Sequence, residues 1–228
     1  RNLFDNIVTL VDELFNNYLR YSGFIEPLAA RAQSYIDSIS VEKELSRRAG
    51  RHIENLLVNG YMDLPPQGSS KRHYGLYEKG AWKGGWIGDF KTVENVLFVK
   101  DAPPGLPASV RFTVSGKPDT VCLTDYLNYW KGPLKPATKY RFSVFVRMED
   151  VKSGGGPHGG GVCFRIWDGK NTFYPDYRMT GTTGWFNHVV TFTTPADVGK
   201  HPHTLSLYLA NATGGVLFSG ALLEAVGD

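Results

Sequence analysis

A chain of 228 residues, 42% of them hydrophobic, is long enough for one large β domain or two ordinary ones and apolar enough to bury a core. Its formal charge of +3 comes from scattered Lys and Arg with no dense basic run, which argues against a nucleic-acid partner. No apolar run approaches the roughly 20 residues that span a bilayer, so no membrane span is expected. The chain opens on Arg1 and not on Met, which predicts a processed product or an excised fragment with the missing part upstream.

From Leu3 to Leu19 apolar residues fall at Leu3, Ile7, Leu10, Val11, Leu14, Phe15, Tyr18 and Leu19, the stripe of an amphipathic helix. Ser22-Gly23 ends it. Pro27 suits the first turn of a second helix with Leu28, Ala32, Tyr35, Ile36 and Ile39 on its apolar face. Ser40 can cap a third, with Leu45, Ala49 and Ile53 inside. The faces are not basic enough for an anionic membrane surface. Residues 1–54 therefore read as two or three helices, a connector or the end of an upstream domain, that pack on the C-terminal strand region or on that upstream domain.

The stretch Asn55 to Asp63 separates this helical part from strands and turns. Beyond it, short apolar runs alternate with Gly, Pro, Asn and Asp clusters. Expected strands are Val96 to Val99, Ala108 to Val114, Thr120 to Leu127, Tyr140 to Met148, Gly161 to Trp167, His188 to Thr193, Leu205 to Ala210 and Val216 to Leu223. That number fits an all-β sandwich of two sheets. Cys122 and Cys163 lie in two of these strands, either bridged between neighbours or reduced and packed.

Side chains alternate across a strand, so parity assigns faces. Phe142, Val144 and Val146 form one set, with Arg141, Ser143, Phe145 and Arg147 opposite. Val162, Phe164 and Ile166 form an inward set, leaving Cys163, Arg165 and Trp167. Leu205, Leu207 and Leu209 point inward, leaving Ser206 and Tyr208.

Four segments in order carry a family resemblance: Asn55-Leu-Leu-Val-Asn-Gly-Tyr-Met-Asp63 followed by Gly85-Trp86; Pro136-Ala-Thr-Lys-Tyr-Arg-Phe-Ser-Val-Phe-Val-Arg147; Gly184-Trp185-Phe-Asn-His-Val-Val-Thr-Phe-Thr194; and Gly215-Val-Leu-Phe-Ser-Gly-Ala-Leu-Leu-Glu224. Together, over residues 55–226, they resemble the carbohydrate-binding modules of families 4, 9, 16 and 22. The resemblance implies a jelly-roll β-sandwich over 55–228 that holds polysaccharide, with Trp86 and Trp185 as core residues. It also implies a structural calcium, with Asp63 where the family has its first-strand acidic ligand. At the other end the family's Asp is replaced by Ser219-Gly220, and Glu224 is the compensating candidate ligand.

A pyranose ring offers apolar C–H faces to aromatic rings and hydroxyls to fixed donors and acceptors. The outward mixture of Arg147, Arg165, Trp167 and Tyr208 meets both needs; the competing reading is a solvated face, or one buried under the helical lead-in. Tyr126, Asn128 and Trp130 share a parity at the end of a strand, and Trp82 flanks a Gly-rich turn; these complete the candidate sugar contacts. Gly154-x-Gly156-x-x-Gly159 lacks the following helix that a dinucleotide fingerprint requires. Glu149-Asp150 sits at a strand end beside that loop, a poor place for paired acid and base groups.

These readings converge on an extracellular or cell-surface, non-catalytic polysaccharide- or oligosaccharide-binding module at the C-terminal end of a glycan-processing enzyme, whose partner is an upstream catalytic domain. Its competitor is a structural β-sandwich that packs on a neighbouring domain and binds no sugar. A hydrolase reading has no motif behind it. The resemblance and the outward arginines leave neutral and uronate-containing glycans equally open.

Overall fold

The computed structural model describes residues 36–37, 39–50, 52–62, 66–67, 73–78, 81–89, 95–127, 134–155, 159–168, 172–173, 178–198 and 203–227, with only the backbone of 66–67, 73–78, 81–84 and 173. The expected helices over 3–19 and from Pro27 lie outside this set, as do Asp63, Asn128 and Trp130. Among the described residues one helix, α1 (residues 39–49), precedes the strands. These are β1 (Pro66–Gln67), β2 (His73–Glu78), β3 (Ala81–Asp89), β4 (Val96–Val99), β5 (Ser109–Tyr126), β6 (Lys139–Ser153), β7 (Gly161–Trp167), β8 (Thr172–Phe173), β9 (Phe186–Thr193) and β10 (Thr204–Ala225).

Every pairing is antiparallel, and β5 and β10 run beside each other through most of their length. Both are far longer than the usual five or six residues, because each serves two layers. In the front sheet the order is β1-β2-β3, the second half of β5, the first half of β10, then β7 and β8. In the back sheet it is β4, the first half of β5, the second half of β10, then β6 and β9. The sequence reads Ser115-Gly-Lys-Pro118 and Asn211-Ala-Thr-Gly-Gly215 as turns, so it predicts four strands where two bent ones stand. At the bends the register of β10 shifts between Leu209 and Gly214, with Asn211 and Gly116 at positive φ. A Cβ on Gly214 would come within 2.4 Å of the Asp150 carbonyl oxygen, so this close approach requires glycine.

The layers face each other through aromatic rings. Phe164 of the front sheet meets Phe218, Phe142 and His188 of the back sheet at centroid distances of 5.9, 5.6 and 4.5 Å. Phe142, Val144, Val146, Val162, Phe164, Ile166, Leu205, Leu207 and Leu209 all join this core, as alternation predicts. Trp86 is fully enclosed, whereas Trp185, also expected in the core, is half-buried.

The Asn55–Met62 segment closes one end of the sandwich, and its residue types follow from that task. The Asn55 side chain donates to the Ala221 carbonyl (2.9 Å) and accepts from the Leu57 and Leu223 amides (both 3.1 Å). Asn59 takes a left-handed conformation and its carbonyl accepts from Trp86 Nε1 at 3.2 Å. A Cβ on Gly60 would meet Asn55 Nδ2 at 2.3 Å. The Asn-x-x-x-Asn-Gly pattern is thus a fastening between the incoming chain, β3 and β10.

Helix α1 lies on the outer face of the back sheet. The sequence expects Ser40 to cap it and Leu45, Ala49 and Ile53 to face inward. Instead Ser40 lies within the helical run, donating to the Asp37 carbonyl at 2.7 Å and accepting from the Asn187 amide at 3.2 Å. The buried residues are Val41 and Glu44, while Ala49 is exposed. The sheet beneath presents Arg141 and Ser143, so the helix docks through a carboxylate. Glu44 accepts from Arg141 at 2.6 Å, Arg47 at 2.8 Å, Arg48 at 2.9 Å and Ser143 at 3.2 Å. Arg48 also donates to the Gly220 carbonyl at 2.6 Å and covers the Phe145 ring at 4.8 Å. The face opposite Phe142 and Val144 is therefore covered by the helical lead-in.

Candidate functional site

The outer face of the front sheet collects four of the expected sugar contacts. Register places Tyr126, Thr204 and Trp167 in one cross-strand row and Ile87, Thr124, Ser206 and Arg165 in the next. A third row holds Asp89, Cys122, Tyr208 and Cys163. Met179 bridges Val162, which brings the exposed Arg178 beside Cys163 on the same face. Residues directly opposite one another in a ladder share a face, so these side chains form one surface.

Polar contacts tie its floor together. The Thr124 and Ser206 hydroxyls are 2.8 Å apart, and Cys122 Sγ lies 3.3 Å from Thr124. Tyr208 stands in the next row, its hydroxyl close enough to Ser206 and Arg165 for both to act on it. The Arg165 guanidinium lies 5.5 Å from the centroid of the Trp167 ring, a cation–π arrangement that fixes both side chains. Burial pushes the Tyr208 phenol above its ordinary value, and the bonds from Ser206 and Arg165 oppose that shift. Trp167, Arg165, Tyr208 and Tyr126 are all half-buried. A ring with one open side, a fixed cation and a hydroxyl ladder can stack against an apolar ligand face while exchanging hydrogen bonds with its polar rim.

Tyr208 also separates the two cysteines, which stand on either side of it in β5 and β7. Two strand spacings put their Cα atoms about 10 Å apart, beyond disulfide reach. Both are free and buried, and burial raises both thiols.

Arg147 does not join this face. It lies on the back sheet, bound to Asp101 at 2.8 Å and Glu149 at 2.6 Å, with Trp185 5.7 Å away. Glu149 also pairs with Arg111. Alternation alone predicts that Arg147 and Arg165 both point outward; it does not reveal that they do so from opposite layers. Trp82 belongs to β3, but its side chain lies outside the described residues, as do Asn128, Trp130 and Asp63.

Glu224 does not fit a calcium ligand. Its carboxylate is held by Arg47 at 2.7 Å and Arg141 at 3.2 Å, so guanidiniums occupy the directions a hard cation would need. Among the described residues no group of three or more His, Cys, Asp or Glu side chains could hold a metal.

Sequence reasoning missed Asp125. Parity points it inward beside Trp86 and Leu205, where it is 1% exposed and neither oxygen makes a well-formed hydrogen bond. Burial pushes its carboxyl well above the ordinary value, opposed by a weak interaction with the Val58 backbone. The signal was the alternation itself, since Val121, Leu123 and Asp125 share a face.

No protein-family model matches the chain, and no curated protein does. Among solved structures it is similar to a family 4 carbohydrate-binding module, at 13% identity and TM-score 0.45 over 74% of this chain and 98% of that one. It is similar to TmCBM61 in complex with β-1,4-galactotriose, at 16% identity and TM-score 0.42 over 62% and 88%. It is also similar to the enzymatically active domain of bacteriophage CBA120 tailspike protein 4, at 12% identity and TM-score 0.45, where 63% of this chain spans 19% of that one. TM-scores this low carry no argument about the chain's activity.

Proposed function

We propose that this chain is a non-catalytic glycan-binding module and that its ligand lies across the outer face of the front sheet, over Trp167, Arg165, Tyr208 and Tyr126. The observation that carries the reading is their convergence: side chains from β5, β7 and β10, far apart in sequence, present a half-open indole, a phenol, a guanidinium and hydroxyls on one surface. Trp130, Asn128 and Trp82, whose side chains lie outside the described residues, are kept as further candidate contacts on sequence grounds. The module would act in the extracellular space or at the cell surface, at the C-terminal end of a glycan-processing enzyme. There it would raise the effective concentration of polymer around an upstream catalytic domain.

A second reading, a structural sandwich that binds no sugar, draws support from α1, whose buried ion pairs show that one sheet face serves packing. Affinity electrophoresis through gels containing soluble polysaccharides separates the two. Retardation by one polymer, weakened at least about tenfold in Trp167→Ala, is the expected result and corresponds to roughly 1.4 kcal/mol. Free migration through every polymer would overturn the glycan reading and leave the packing role.

A further inference from the structure

The two outer faces of the sandwich treat their arginines differently. On the back face Arg47 and Arg48 of α1 and Arg111, Arg141 and Arg147 of the sheet each contact at least one carboxylate among Glu44, Glu224, Glu149 and Asp101. On the front face Arg165 has no ion pair among the described residues: it lies beside the Tyr208 hydroxyl and the Trp167 ring, and its buried Nε finds no acceptor among them. Arg178, exposed beside Cys163, likewise has no ion pair among the described residues. One described carboxylate shares the face, Asp89 beside Cys122. One strand, β10, separates Cys122 from Cys163, so Asp89 stands three strand spacings, about 14 Å, from β7 and its Arg165 and Arg178 side, past a Debye length at physiological salt.

A guanidinium desolvated on one flank, held by stacking and without an anion among the described residues, is a preorganised receptor for a planar carboxylate. Its fork matches the two carboxylate oxygens, and holding it against the indole lowers the ordering cost of forming that pair. We infer that the front face selects an acidic glycan, one whose uronate carboxylate pairs with Arg165, with Arg178 adding attraction, while a sugar ring stacks on Trp167. This inference rests on the glycan-binding reading above and adds the charge class of the ligand.

The test compares alginate and polygalacturonate with their carboxyl-reduced forms in affinity gels, beside a panel of neutral polysaccharides. Reduction removes the charge and keeps the polymer backbone. The expected result is retardation by an acidic polymer that falls about tenfold or more for its reduced form. Arg165→Gln abolishes the difference, and the exposed Arg178→Gln, which leaves the folded surface intact, reduces it several-fold. Lys117→Gln, an equal charge change on the exposed bend of β5, leaves it unaltered. Equal retardation by acidic and reduced forms, or retardation by neutral polymers alone, would overturn the inference and leave the glycan-binding reading standing. Equal losses in Lys117→Gln and Arg165→Gln would reduce the effect to net charge and also overturn it. No retardation by any polymer would overturn both.

Discussion

Replacing Glu44 by Gln keeps the shape of the side chain and removes the charge on which α1 docks. Glu44 is 3% exposed and accepts from three guanidiniums and a hydroxyl. Burial alone would raise its carboxyl, but the bonds from Arg47, Arg141 and Arg48 outweigh burial and hold it well below the ordinary 4.5. Breaking a buried ion pair from one side typically costs 3–5 kcal/mol. Arg141 and Arg47 retain Glu224, so the lower end applies, about 3 kcal/mol, equivalent to a fall in Tm of roughly 6–12 °C for a chain of this size. Urea unfolding followed by tryptophan fluorescence measures the global effect, and hydrogen exchange over residues 39–49 measures undocking of the helix. The depressed carboxyl contributes stability that is present above about pH 4.5 and lost as the pH falls below it, so the wild type and the variant should converge in acid. A loss below about 0.5 kcal/mol with unchanged exchange over the helix would refute the claim that an ionic contact holds it.

Asp125→Asn should stabilise the sandwich at neutral pH. The raised carboxyl contributes stability that is complete below 3.8 and lost as pH rises toward its folded value, so the gain should shrink in acid; a gain independent of pH in melting curves would contradict this. Gly60→Ala places a Cβ 2.3 Å from Asn55 Nδ2 and 2.4 Å from the Ala221 carbonyl oxygen, and denaturant titration should show a loss of about 1–3 kcal/mol. Cys122 and Cys163 should resist a thiol reagent in the native chain and react once urea unfolds it; fast native reaction of both would show that the face is looser than described.

The sandwich was legible wherever burial is apolar on one side of a strand. Val162, Phe164 and Ile166 announce their face because their neighbours Cys163, Arg165 and Trp167 differ from them. The same logic failed at α1, where Glu44 is buried with Val41 and the expected Ala49 is exposed, because a docking contact made through a carboxylate leaves little hydrophobic period to read. It failed again at residues 115–118 and 211–215, whose Gly, Pro and Asn content signals turns although pairing between β5 and β10 carries each strand through as a bend. Of the candidate site, Trp167, Arg165, Tyr208 and Tyr126 could be nominated from parity. That they share a surface, and that Arg147 does not, depends on strand order, which parity does not encode.

Because β10 serves both layers, it is also a mechanical element. Its second half carries the Gly220 carbonyl and Glu224, to which the arginines of α1 are clamped, and its first half carries Ser206 and Tyr208. Tension between the helix and anything gripping the front face would run along one unbroken strand. That strand is flanked by β5 on one side and by β6 or β7 on the other, so the load meets many ladder hydrogen bonds in shear at once instead of opening them one by one.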